Sequence, residues 1–150
     1  MLENINVKGK VTIKLVNVIT NNIEFERTLE NVMLENGAFN IIKAFTGVGV
    51  VNTITNCPVF DVNKNAIKRI SGSWGSPSNT GTAWTCKFTA IDESTDSYTF
   101  RYLGLDLSSP YPPVLSGCFF AYDSGSSITK TSNQILSIEW TISAGYSSPP

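Results

Sequence analysis

Asp92, Glu93 and Asp96 fall in one turn between two strand-like runs, and carboxylates gathered in a tight turn are the donor set that a hard cation such as calcium takes. Their spacing is not that of an EF-hand, and acidic residues equally fill ordinary turns. A solvated turn is therefore the expectation, with cation binding as its rival and no metal assigned. Asp61, Asp106, Asp123 and Glu139 supply carboxylates that in pairs would suit glycoside hydrolysis, but no motif selects a pair. The chain has no histidine, which removes imidazole acid–base chemistry, Ser-His-Asp and Cys-His nucleophiles, and histidine-held metals. Gly72, Gly75 and Gly81 have neither P-loop nor dinucleotide-binding spacing. No catalytic residue and no cofactor is assigned.

Aromatic residues offer recognition instead of reaction. Trp74 and Tyr111 lie in turn-like segments and Tyr122 in a short apolar run, and aromatic faces stack on sugar rings. Loop aromatics packed under their own loops or in a subunit contact are the alternative. Trp84 and Trp140 sit on apolar strand faces and are expected in the core. Cys57, Cys86 and Cys118 match no zinc or redox spacing, so free thiols are expected, with Cys86 and Cys118 buried as small hydrophobes.

The elements that must position these residues are mostly strands. At 150 residues and 41% hydrophobic content the chain suits one domain, residues 1–150, with a short flexible tail from about Ala144. A net charge of -1 provides no field for nucleic acid or an anionic membrane, and the start of the chain alternates instead of forming an apolar signal-peptide core. Synthesis in the cytoplasm, with no membrane and no nucleic-acid partner, is the expectation.

Ile5 to Ile19 alternates apolar residues with lysines, and Ile23 to Glu30 alternates them with acids, so the two predict a hairpin with cross-strand Lys and Glu pairs. Ala38 to Phe45 changes to helical spacing and is ended by Gly47, and its apolar stripe of Phe39, Ile42 and Phe45 is expected to bury against a sheet. Val48, Val50, Val51 and Ile54 suggest a weak strand that Pro58 ends. Ala66 to Ser73 reads as a strand, Trp84 to Ile91 and Tyr98 to Leu105 as a second hairpin, Asp123 to Ser127 as a turn, and Gln134 to Ser143 as the closing strand. On that strand Leu136, Ile138, Trp140 and Ile142 face a core, while Glu139 and Thr141 face out and are expected near a sheet edge or a subunit contact. Turns this frequent predict a mainly β fold, an antiparallel β-sandwich or barrel with one short helix packed on it.

Gly9 to Asn17, Thr20 to Glu26 and Glu30 to Ile42, followed by Thr82 to Ala90 and Ser132 to Ile142, resemble the strand, turn and helix-entry pattern of small tailed-bacteriophage virion proteins. Thr46 to Asn65 does not align to it. The resemblance implies a non-enzymatic virion structural protein, a tail or fibre adaptor or a capsid-surface component, assembling with copies of itself and with neighbouring virion proteins. A carbohydrate- or receptor-binding module facing a host-surface glycan is the rival from another class.

Overall fold

Two long alternating strands, β1 (Val7–Asn17) and β10 (Gln134–Gly145), lie antiparallel, with Val11 opposite Trp140 and Ile13 opposite Ile138. All four side chains are buried, because a period of two turns every second residue inward. The computed structural model describes residues 7–147, so the expected start at Ile5 and the last residues of the expected tail lie outside it. β10 itself continues past Ser143 to Gly145, and Tyr146 is held beyond it by a backbone hydrogen bond to Thr82 and a side-chain bond to Asn79.

The remaining strands are β2 (Ile23–Glu30), β3 (Val32–Met33), β4 (Asn56–Phe60), β5 (Ala66–Trp74), β6 (Ser78–Asn79), β7 (Ala83–Asp92), β8 (Tyr98–Leu105) and β9 (Phe120–Lys130). They form one antiparallel 10-stranded sheet in the order β2-β1-β10-β7-β5-β4-β8-β9-β3, with β6 on the flank of β7. The sheet turns a corner within β5, whose first part pairs with β4 and whose Gly72–Trp74 end pairs with β7. Gly72 makes that corner possible: a Cβ there would lie 2.5 Å from the Phe88 ring and 2.6 Å from the Thr89 carbonyl oxygen.

The two ends of the sheet approach each other. Asn31 donates its backbone N–H to Gly9 of β1 at 2.9 Å, and Arg27 of β2 donates across the seam to the Ser124 carbonyl and, at 3.2 Å, to the Ser126 hydroxyl of β9. The result is a nearly closed β-barrel with a core of Val11, Ile13, Phe88, Phe100, Leu103, Leu136, Ile138 and Trp140 among others. The predicted fold class is the observed one.

Several local expectations are corrected. The first hairpin forms as expected, with Lys14 and Glu26 3.8 Å apart and the Thr12 and Thr28 hydroxyls 2.8 Å apart. The second does not: β7 pairs with β10 and β5, while β8 pairs with β4 and β9, so the Asp92 turn carries the chain from one wall to the other. Two adjacent alternating runs fit that crossing as well as they fit a hairpin. Asp123 to Ser127 lies inside β9 as a bulge, with Gly125 at φ 78° and its N–H donated to the Asp123 carboxylate. Val48 to Val51 form no strand. The strand is β4, wholly buried, and it contains Pro58 because its pairing on the β8 side passes from Asn56, bridged to Asp106 just beyond β8, to Val59 and leaves out the proline, which has no N–H to give.

Among the described residues there is one α-helix, α1 (Glu35–Thr46), closed by Gly47 in the left-handed region at φ 68°. Among the described residues, its hydrogen bonds to the barrel come from its first turn. Leu34 donates its N–H to Phe119, Asn36 donates its amide to Gly117, and Gly37 sits where a Cβ would be 2.3 Å from the Phe119 carbonyl oxygen. The rest of the apolar stripe is not buried, contrary to the sequence pattern. Phe39 is 60%, Ile42 56% and Phe45 78% exposed.

Candidate functional site

The Asp92 turn binds cations, but they are the chain's own. Lys68 of β5 places its ammonium 3.2 Å from one Asp92 oxygen, 2.8 Å from Asp96 and 2.8 Å from the Ser94 hydroxyl. The other Asp92 oxygen accepts the Tyr98 hydroxyl at 2.5 Å. Lys130 of β9 is fully buried and donates to the Ser94, Asp96 and Thr131 carbonyls at 2.7, 2.9 and 3.3 Å. Burial opposes the ionised form of Asp92, yet donors from Tyr98, Ser94 and Lys68 outweigh it and hold the carboxyl at about 2. Burial also presses the Lys130 ammonium below its usual range, while Lys68, although burial works against its charge, is raised by Asp96 and Asp92. Glu93 is exposed and takes no part in these bonds. The oxygens that a divalent ion would want are engaged by lysines, and this constellation joins the crossing turn to β5 and β9.

The other carboxylates are engaged separately. Asp61 accepts the backbone N–H groups of Asn63 and Asn65 within its own turn, Asp106 that of Leu107, Asp123 pairs with Arg101 at 3.0 Å, and Glu139 with Lys87 at 3.4 Å. Burial pushes the Cys57 thiol up to about 12 and Cys118 higher still, leaving Cys86 as the partly exposed one of the free cysteines.

The aromatic candidates separate in a way the sequence does not disclose. Tyr122 is 3% exposed and belongs to the core, so it cannot serve recognition: its place on β9 faces inward. Tyr111 is exposed, on a loop that Arg69 of β5 ties down through the Ser109 and Tyr111 carbonyls, each at 2.6 Å. Trp74 ends β5, donates its indole N–H to Ile54 at 3.0 Å and packs on Phe88 with ring centroids 5.2 Å apart. Trp84, expected in the core, is about half exposed. β7 and β10 outrun the barrel, so their inward faces are buried at Phe88 and Trp140 and open to solvent at Trp84 and Ala144.

Glu139 and Thr141 lie on the outer face of β10, between β1 and β7, which places them in the interior of the sheet and not at its edge. Glu139 has Lys87 as its neighbour, and Thr141 lies level with Lys10 and Lys87.

What the overhanging strands build with α1 is an apolar mouth. Val7, Ile142 and Ala144 from the sheet, Met33 from β3, and Ile41 and Phe45 from the helix line a groove of about 560 Å³. A shallower cleft of about 210 Å³ between Trp74, Pro77 and Trp84 meets it at Ile142 and Ala144. Beyond the helix, Val48, Val50 and Val51 are exposed on a segment that Asn52 pins back to α1, donating its N–H to Asn40 at 2.9 Å and accepting the Asn40 amide at 3.1 Å. Sequence reasoning missed this surface because a helical apolar stripe signals burial without saying against what. Comparisons with family models, with curated proteins and with solved structures return no match for this chain.

Proposed function

We propose that this chain is a non-enzymatic structural protein of a bacteriophage virion, a tail or fibre adaptor or a capsid-surface component that works by assembling with copies of itself and with neighbouring virion proteins. The observation that carries the reading is the solvent-facing apolar surface of α1 and the segment after it, on a barrel whose Asp92, Asp96, Asp123 and Glu139 carboxylates are paired with its own lysines and arginine. Contiguous apolar patches of this kind mark contact surfaces on soluble proteins. Near-neutral charge lets like copies approach without repulsion, and the strand pattern of the chain resembles that of small phage virion proteins. Mass spectrometry and immunolabelled electron microscopy of purified particles test it. The protein should be found on the particle, and a strict monomer missing from purified particles refutes the reading.

One observation favours a second reading, recognition of a host-surface glycan. Trp74 and Trp84 flank a single open cleft. A glycan array with the intact protein and with Trp84→Ala separates the two: sugar binding lost in the variant supports recognition, and no binding by either protein removes it.

A further inference from the structure

The exposed flank of α1 has a pattern that becomes its own complement when it is reversed. Glu35, Phe39 and Lys43 follow one another at intervals of one helical turn, an acid near the start, a base near the end and an aromatic ring between them. Lys43 holds its ammonium 4.9 Å from the centre of the Phe39 ring. Ile42 runs alongside, and Val48, Val50 and Val51 extend the surface.

We propose that two copies of this chain join about a two-fold axis with their α1 helices antiparallel and crossing at Phe39. The inference rests on the assembly reading above and names its contact. Turning the stripe end for end sets Glu35 of each copy beside Lys43 of the other and stacks the two Phe39 rings at the axis. The opposed helices also bring the positive end of one dipole to the negative end of the next. An unrelated partner has no reason to match a stripe that complements itself.

The area agrees. From their fractional exposures, Phe39, Ile42, Val48, Val50 and Val51 present on the order of 500 Å² of surface, the larger part of the ~800 Å² that each side brings to a standard interface. That is as large as the largest patch a typical monomer leaves exposed, a size that is often functional. Phe39 is open to pairing: it is 60% exposed, while the helix meets the barrel through Asn36 and Gly37 of its first turn.

Sedimentation of the full chain over a concentration series tests the contact, with near-ultraviolet circular dichroism confirming that each variant is folded. The natural chain should sediment as two copies. Phe39→Asp should raise the dissociation constant by at least roughly 30-fold, because it places two carboxylates at the axis in place of the rings. Ile19→Asp, at the exposed tip of the first hairpin, should change nothing. Glu35→Lys and Lys43→Glu should each weaken the pair, and the two together in one chain should restore it. A natural chain that stays monomeric overturns the proposal. Dimers that survive Phe39→Asp, or a double swap that fails to restore what the single swaps lost, overturn this contact while leaving assembly through another face intact.

Discussion

Replacing Asp92 with asparagine keeps the shape of the crossing turn and removes the charge that Lys68, Tyr98 and the Ser94 N–H all address. The native carboxyl is held at about 2 against an ordinary 3.8, so the ionised group contributes about 2 kcal/mol to folding at neutral pH. A depressed acid stabilises above its unfolded value, and that contribution is lost as pH falls through the folded one. The deficit of Asp92→Asn relative to the natural protein should therefore be about 2 kcal/mol above about pH 5, about half that near pH 3, and nearly absent at about pH 2. Asp96 titrates in both proteins and largely drops out of the difference. Urea unfolding followed by tryptophan fluorescence reads it directly, and the neutral-pH deficit corresponds to roughly 4–8 °C in melting temperature. Tyr98→Phe removes one donor and should move the acid loss to higher pH. An Asp92→Asn deficit that is the same at pH 2 as at pH 7 would falsify the electrostatic account and assign the residue's role to shape.

Two further outcomes follow from packing. Gly104→Ala places a methyl carbon 2.4 Å from the Cys118 sulfur and should cost about 1–3 kcal/mol in urea unfolding, with Cys118→Ala in the same chain recovering part of it; no recovery would mean that the strain lies elsewhere. A thiol reagent at neutral pH should modify Cys86 in the folded protein and all 3 cysteines after denaturation, and rapid reaction of Cys57 or Cys118 in the native state contradicts their burial.

Period and alternation were enough to read β1 and β10, each of which keeps one face in the core along most of its length, and β2, whose apolar residues alternate with acids although none of them is fully buried; β5 showed through Ile67 and Ile70, of which only Ile70 is buried. They also gave the class of fold. What they could not give was pairing. β7 and β8 alternate just as hairpin strands do, and only the partners they meet across space, β10 and β4, decide that they stand in different walls. β4 was hidden because every one of its residues is buried, which erases alternation, and because its proline reads as a stop. The apolar surface was concealed for the opposite reason. Trp84 and Phe45 have the residue types of a core and lie where the barrel has run out of partners for them. Lys68 and Lys130 carried no signal at all, since a lysine in a strand gives no notice of a carboxylate or carbonyl in a distant turn.

The placement of β10 between β1 and β7 has a consequence for how the chain comes to be folded. The strand that joins β1 to β7 is the last of the three to leave the ribosome, so Val11, Ile13, Phe88 and Ala90 must wait for Leu136, Ile138 and Trp140. Until then the first hairpin and β7 have uncovered apolar faces and unpaired edges, the condition in which nascent β proteins stick to one another. Contacts this distant along the chain also make completion slow. Such a protein is exposed to misassembly in proportion to how fast it is made, and its yield in a cell should depend on translation rate and on holding chaperones more than on the stability of the finished barrel.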